Sequence, residues 1–342
     1  MSNGLYFHIP FCRSKCPYCD FYSVKYEKEL AEKYSDRLCD EIKKYSGRFD
    51  TIYFGGGTPS ILKPELIEKI IHASKAQFDV SKDCEITIEC NPSKNLEKDF
   101  EKYAEFGVNR ISIGMQSARN EERFALGRAA GQAEVAKTVS DARKAGITNI
   151  SLDIMLGTPK QTLDSLDETF AFIDKMNVTH ISAYMLKIEE NTKFFEIQNR
   201  LALPDEDTVC NMYLKTIKAL KNLGFDQYEV SNFAKPGYES RHNLKYWELD
   251  EYLGIGASAH SLWGGKRFYY DKDFNIIYDG IGGTEEEKIM LGLRLSKGID
   301  KSLIKKDYRN FIKMGLLGEI NDNIFLTQEG MLLSNTVISE LI

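Results

Sequence analysis

Short runs rich in aliphatic and β-branched residues alternate with longer charged segments through the first half of the chain. The runs are Leu5 to Ile9, Thr51 to Phe54, Glu85 to Glu89, Arg110 to Met115, Ile150 to Met155 and His180 to Leu186. Each has the length of a strand, and the segments between them are long enough for helices. Glu27 to Lys44 is heavily charged, Pro64 to Lys75 opens with proline in its first turn, and Glu134 to Lys144 stops before Gly146, all helix signatures. Six βα units follow, so the expected fold class is α/β with these strands in a parallel sheet. Periodicity does not separate an open doubly wound sheet from a barrel, and six units fall short of the usual eight of a closed one.

After Leu186 the texture changes. A polar stretch, Glu189-Glu190-Asn191-Thr192, precedes a helix opened by Pro204-Asp205 and running to Asn222, then a Gly- and aromatic-rich segment from Tyr228 to Gly283. From Glu285 to Ile342 the pattern predicts helix, helix, a hairpin around Asn321-Asp322-Asn323 and a last helix from near Gln328, the order of a small winged-helix-like module. The expected divisions are 1–190, 191–284 and 285–342. The second helical region of the tail, Lys297 to Lys313, is locally basic by +4, which reads as a solvated face or as a docking surface for an anionic partner.

Of the 342 residues, 42% are hydrophobic and only 8 are proline, so the chain has the apolar surface for a core and is not disordered. A net charge of -6 is the wrong sign for a global grip on phosphate backbones, and no nucleic-acid partner is expected. The longest stretch without Asp, Glu, Lys or Arg, Tyr252 to Gly265, is 14 residues, short of the roughly 20 that span a bilayer. The N-terminus lacks the basic start and apolar core of a secretory signal, which makes the expected location cytoplasmic.

Three of seven cysteines, Cys12, Cys16 and Cys19, fall within eight residues, while Cys39, Cys84, Cys90 and Cys210 are scattered. The clustered three suggest a metal site, not a disulfide framework, and the scattered four read as small buried residues. The triplet follows the first strand, on the sheet edge where α/β proteins place their chemistry. Three thiolates on one loop can hold a cubane iron–sulfur cluster with one iron left open; a Cys3His zinc site using His8 is the structural alternative. Gly55-Gly56-Gly57-Thr58-Pro59 follows the second strand, where glycines let backbone approach a ligand. It lacks the Lys-Ser/Thr of a phosphate loop.

The stretch Tyr6-Phe7-His8-Ile9-Pro10-Phe11-Cys12-Arg13-Ser14-Lys15-Cys16-Pro17-Tyr18-Cys19-Asp20-Phe21 closely resembles the cluster loop of radical S-adenosylmethionine (SAM) proteins of the oxygen-independent coproporphyrinogen III oxidase group. The resemblance continues along nearly the whole chain. It implies an open partial (β/α)6 barrel with a C-terminal α+β extension, a 4Fe-4S cluster on Cys12, Cys16 and Cys19, and SAM on the open iron. It places SAM contacts at Gly56, Gly57 and Thr58, at Glu89, Gln116 and Asp153 near strand ends, at Arg128, and at the aromatic positions Tyr6 and Tyr18. Carboxylates and an amide suit ribose hydroxyls or an ammonium, and a guanidinium suits a carboxylate.

Two departures choose a branch. The oxidases carry CxxxCxxCxC, and Phe21 stands at the fourth cysteine; they also carry an N-terminal extension, where only five residues precede Tyr6 here. Coproporphyrinogen oxidase activity is therefore disfavoured, and whether the chain is an enzyme at all stays open. His242-Asn243-Leu244-Lys245-Tyr246-Trp247 instead matches the HNxxYW signature of a branch understood as heme chaperones, and Gly254-Ile255-Gly256-Ala257-Ser258-Ala259-His260-Ser261 is also typical of it. That resemblance implies heme as cargo, an acceptor hemoprotein, a flavodoxin- or ferredoxin-type electron donor and a peripheral membrane contact. His242 is the first candidate for the heme iron, with Asn243, Tyr246 and Trp247 around it. His260 is second, and His8, His72 and His180 read as structural or surface residues. The alternative is a radical SAM oxidoreductase acting on a porphyrinogen.

Overall fold

The computed structural model describes residues 2–342. Six strands, β1 (Asn3–Ile9), β2 (Arg48–Gly56), β3 (Asp79–Cys90), β4 (Arg110–Gln116), β5 (Asn149–Leu156) and β6 (His180–Met185), pair in parallel in chain order. Helices Lys28–Ile42, Pro64–Gln77, Glu97–Phe106, Gln132–Lys144, Leu163–Met176 and Glu206–Asn222 alternate with them. Successive strand residues face opposite sides. One face, with Leu5, Phe7, Ile52, Phe54, Ile88, Ile111, Leu152 and Ile181, is completely buried and belongs to the main hydrophobic core.

The other face is polar. In-register pairing aligns Tyr6 with Tyr53, Tyr53 with Thr87, Thr87 with Arg110, and Glu89 with Ser112 and then Ser151. Asp153 lies beside Ser182 and Gly114. This face is the concave interior of the partial barrel, and it carries the cofactor candidates Tyr6, Glu89, Gln116 and Asp153.

The sheet does not stop at six strands. β7 (Asn232–Ala234) pairs antiparallel with β6, and β8 (Tyr252–Ile255) pairs parallel with the free edge of β1. From β8 an antiparallel wing continues through β9 (His260–Trp263), β10 (Lys266–Tyr270) and β11 (Ile276–Ile281). The order is β11-β10-β9-β8-β1-β2-β3-β4-β5-β6-β7, ending on the two-residue strand Asp226–Gln227. The division expected at 190/191 thus falls within a continuous sheet, and one hydrophobic core extends from Leu5 to Leu341.

In the tail, the hairpin Leu317–Ile320 and Asn323–Leu326 is joined by Ile299–Asp300 into a three-stranded sheet, flanked by helices Glu285–Gly292, Gln328–Leu332 and Ser334–Leu341. The basic region is not one helix: only Arg309–Lys313 is α-helical. Nor is it a free cationic face. Lys297, Lys301, Lys305 and Arg309 pair with Glu248, Glu319, Glu285 and Asp307, so much of its charge is balanced locally. Among the described residues no helix is long and apolar enough to cross a membrane.

Candidate cofactor site

The cysteine loop leaves the C-terminal end of β1 and is anchored by backbone. Val24 donates to the Pro10 carbonyl at 2.6 Å and Tyr26 to that of Cys12 at 2.9 Å. From the GGGTP turn, Gly57 N–H donates to the Ile9 carbonyl and Thr58 N–H to that of Phe11, both at 2.9 Å. A Cβ on Gly57 would lie 2.8 Å from the Phe11 oxygen and 2.9 Å from the Ile9 oxygen. One on Gly56, whose φ is +109°, would lie 2.6 Å from the His8 ring. The sequence reads these glycines as room for a ligand; in the structure the protein's own packing also requires them.

Cys12, Cys16 and Cys19 are free thiols of intermediate exposure, with Cys19 N–H closing a turn onto the Cys16 carbonyl at 3.2 Å. Cys39, Cys84 and Cys90 are buried as expected, whereas Cys210 is only partly so. Among the described residues no three His, Cys, Asp or Glu side chains gather closely enough to hold one metal ion. A tetrahedral zinc with Zn–S bonds of about 2.3 Å needs sulfurs within about 4 Å of one another. His8 is also committed elsewhere: Nε2–H donates to the Tyr22 carbonyl at 3.0 Å, which leaves Nδ1 to accept from Tyr6 OH at 3.2 Å. With His8 engaged, the loop offers three thiolates and no fourth protein ligand, a donor set that suits a cubane with one open iron better than Cys3His zinc.

A polar chain ties the loop to the strand ends. Cys12 Sγ is 3.7 Å from Thr58 Oγ1, which accepts from Asn91 Nδ2 at 3.0 Å. Asn91 Oδ1 accepts from Arg128, and Arg128 Nη2 donates to Tyr18 OH at 3.0 Å. Beside this chain is a cavity of about 300 Å³ lined by Cys16, Thr58, Asn91, Gly114, Gly127 and Arg128, at the lower end of small-molecule pockets. Burial, opposed by Arg128, raises the Tyr18 hydroxyl to about 12, so it stays protonated.

Glu89 accepts from Tyr53 OH at 2.8 Å and from Gly56 N–H at 3.2 Å. Burial, reinforced by Asp153, raises its pKa to about 7 despite those bonds. Asp153 is raised too, chiefly by burial, and accepts from Ser112 Oγ at 2.9 Å. Gln116 adopts φ +69° where β4 slips register against β5, a left-handed backbone rare outside glycine and asparagine. Its amide approaches Gly114, where a Cβ would lie 3.0 Å from Nε2.

The HNxxYW segment forms the helix Arg241–Glu248, which packs on the starts of β1 and β2, at the end of the barrel away from the cysteines. His242 Nδ1 is 2.8 Å from Thr51 Oγ1 and Nε2 is 2.8 Å from Tyr246 OH, and the residue is 1% exposed. Burial, then the charges of Lys245 and Arg110, lower its pKa to about 3. Its ring stacks near Tyr53 at 5.1 Å and Tyr6 at 6.4 Å. Expected as the first ligand for a heme iron, His242 has both ring nitrogens engaged in this conformation. Asn243 N–H donates to the Ser240 cap, Tyr246 holds His242, and Trp247 is partly exposed.

Two groups of residues were not expected. Asn91 bridges Thr58 and Arg128, one residue past Cys90 in the stretch that yielded Glu89. The polar floor comprises Thr51, Tyr53, Glu85, Arg110 and His180. Its sequence signal is the period-two polar series Thr51/Tyr53, Glu85/Thr87/Glu89 and His180/Ser182/Tyr184 inside apolar strands.

Residues 6–173 match the model of the radical SAM superfamily, and fold and loop define that class. The chain is 32% identical to the heme chaperone HemW of Lactococcus lactis over 99% of its own length and 97% of the relative's. It is 33% identical to that of Bacillus subtilis, covering 97% of each chain. The solved coproporphyrinogen III oxidase (HemN) from Escherichia coli, described as a radical SAM enzyme, superposes with a TM-score of 0.83 at 22% identity, covering 99% of this chain and 90% of that one. The chain belongs to the HemW family of HemN-like radical SAM proteins. The family's cofactors are a 4Fe-4S cluster and SAM.

Proposed function

We infer that this protein is a heme chaperone, binding heme and passing it to acceptor proteins, with a SAM-binding 4Fe-4S cluster. The whole-length match to relatives named heme chaperone carries the reading. Cys12, Cys16 and Cys19 would hold the cluster, and the polar chain Thr58–Asn91–Arg128–Tyr18, with Tyr6, Gly56, Gly57, Glu89, Gln116 and Asp153, would hold SAM. A cluster held by those three thiolates would be a source of reducing electrons for SAM bound beside it. The porphyrinogen oxidase reading is not favoured: Phe21 is 60% exposed at the position of the oxidases' fourth cysteine.

In this proposal segment 1–190 carries the cofactors, 191–284 the cargo surface and 285–342 a winged-helix-like accessory. A flavodoxin- or ferredoxin-type donor supplies electrons, the protein works in the cytoplasm, and exposed Tyr278 and Ile281 offer a peripheral membrane contact. The test is an anaerobic hemin titration of the reconstituted chain followed by gel filtration, with Cys16→Ala alongside. Near one retained heme per wild-type chain, and loss of the cluster's broad visible absorbance in the variant, are expected. No retained heme, or a full cluster without Cys16, defeats the corresponding assignment.

A further inference from the structure

The five histidines divide by what their ring nitrogens do. His8, His180 and His242 each have both nitrogens in hydrogen bonds: His8 with Tyr6 and Tyr22, His180 with Ser151 and Tyr228, His242 with Thr51 and Tyr246. His72 lies on the outer helix Pro64–Gln77, its ring against Phe106. His260 is exposed at the start of β9. Its ring stacks on Tyr269 with centroids 5.0 Å apart and planes 26° from parallel, and among the described residues neither of its nitrogens has a hydrogen-bond partner.

Its place on the sheet follows from register. Tyr6 pairs with Gly254, Tyr252 with Leu262, His260 with Tyr269, and Tyr269 with Ile277. Laterally paired residues share a face, so Tyr6 and His8 inside the barrel continue through Gly254 to His260, Tyr269 and Ile277 on the wing. At its lower end this face is covered, because Arg267 reaches Tyr252 OH at 3.3 Å and pairs with Glu287. At its upper end His260 and Ile277 are exposed. Gly254, aligned with Tyr6, contributes no side chain to this face.

We propose that the wing of β8–β11 is the heme platform, with His260 as axial ligand to the iron and Tyr269 and Ile277 beneath the porphyrin. A planar, largely apolar macrocycle needs an apolar surface and an imidazole with a free nitrogen; Tyr269 and Ile277 offer the first and His260 the second, on the wing that continues the sheet from β1 through β8. The proposal rests on the heme-chaperone reading and names its site. His242 then has a different task, holding the helix Arg241–Glu248 against the barrel floor.

The test titrates hemin into the reconstituted full chain and its His260→Ala and His242→Ala variants. Retained heme is counted as pyridine hemochrome, and axial ligation is read by electron paramagnetic resonance. His260 is exposed, so its removal leaves the fold intact; Ile277→Glu, which charges the platform without touching a histidine, is the second variant. The expected result is imidazole ligation in wild type and in any folded His242→Ala. His260→Ala loses that ligation and binds heme about tenfold or more weakly, added imidazole restores the signature, and Ile277→Glu weakens binding with ligation unchanged. Heme bound identically by wild type and His260→Ala overturns the platform and leaves heme binding standing. Wild type that retains no heme overturns both.

Discussion

Gly57→Ala tests the contact between the GGGTP turn and the cysteine loop. The added methyl would lie 2.8 Å from the Phe11 carbonyl oxygen and 2.9 Å from that of Ile9. Those two oxygens accept the hydrogen bonds from Thr58 and Gly57 N–H at 2.9 Å. Relieving the overlap takes a shift of about half an ångström, enough to lengthen both bonds beyond good geometry. At about 1 kcal/mol per bond plus at least about 1 kcal/mol of overpacking, the fold loses roughly 3 kcal/mol if the turn and loop stay together. If the loop moves away instead, most of that loss disappears, but the start of the cysteine loop is displaced and iron loading falls. Urea unfolding of the apo chain and iron per chain after reconstitution distinguish the two responses. A Gly57→Ala protein unchanged in both stability and iron content would falsify the steric argument.

Asn91→Ala breaks the bridge between Thr58 and Arg128 and should weaken SAM binding about tenfold with iron content unchanged; equilibrium dialysis showing full affinity removes Asn91 from the site. Glu89, whose pKa rises from 4.5 to about 7 on folding, keeps its proton in the folded state after the unfolded chain has released it. Its contribution is therefore intact below about pH 4.5 and declines by at most about 3 kcal/mol as pH rises to about 7. Glu89→Gln should flatten that decline in the melting temperature, and equal slopes would refute it; Glu229, also raised to about 7, leaves a residual slope. Tyr246→Phe deprives buried His242 Nε2 of its partner and should cost about 1–3 kcal/mol, whereas an unchanged melting temperature would show that the helix is held by other contacts.

The strands and helices of the barrel are legible in the sequence because each strand is a short apolar run and each helix a longer charged one. The long-range pairing is not. That β8 lies along β1 joins Tyr6 to Gly254, almost 250 positions apart, and neither segment's pattern names its partner. The same limit governs the site. Cys12, Cys16 and Cys19 are legible because their spacing is local, as is Thr58 beside its glycines. Arg128 and Asn91 meet Tyr18 and Thr58 only when the segments after four strands, β1 to β4, converge. His242 illustrates the opposite failure: a histidine in a distinctive motif suggests a ligand, but its availability depends on Thr51, which only folding brings to 2.8 Å.

Polarity at alternate strand positions links the two halves of the proposed function. A closed barrel core would fill its interior with branched apolar side chains. Here the interior holds Tyr6, Tyr53, Glu89, Arg110, Asp153 and His180, with Glu89 and Asp153 still partly open to solvent. Hydrogen bonds hold Tyr6, Tyr53, Glu89, Asp153 and His180 there, and buried Arg110, whose Nε has no hydrogen-bond partner among the described residues, offsets acidic Glu85 and Asp153. Such an interior suits a charged, polar cofactor and is a poor surface for a porphyrin. Along the same face, past Gly254, the residues become His260, Tyr269 and Ile277, less charged and open at the edge. One continuous sheet therefore presents two chemistries side by side, with the cysteine loop near their junction. Heme on the wing would lie on the β8 side of β1, whereas the cavity lies among the ends of β2, β3 and β4, so a porphyrin would not have to enter the barrel.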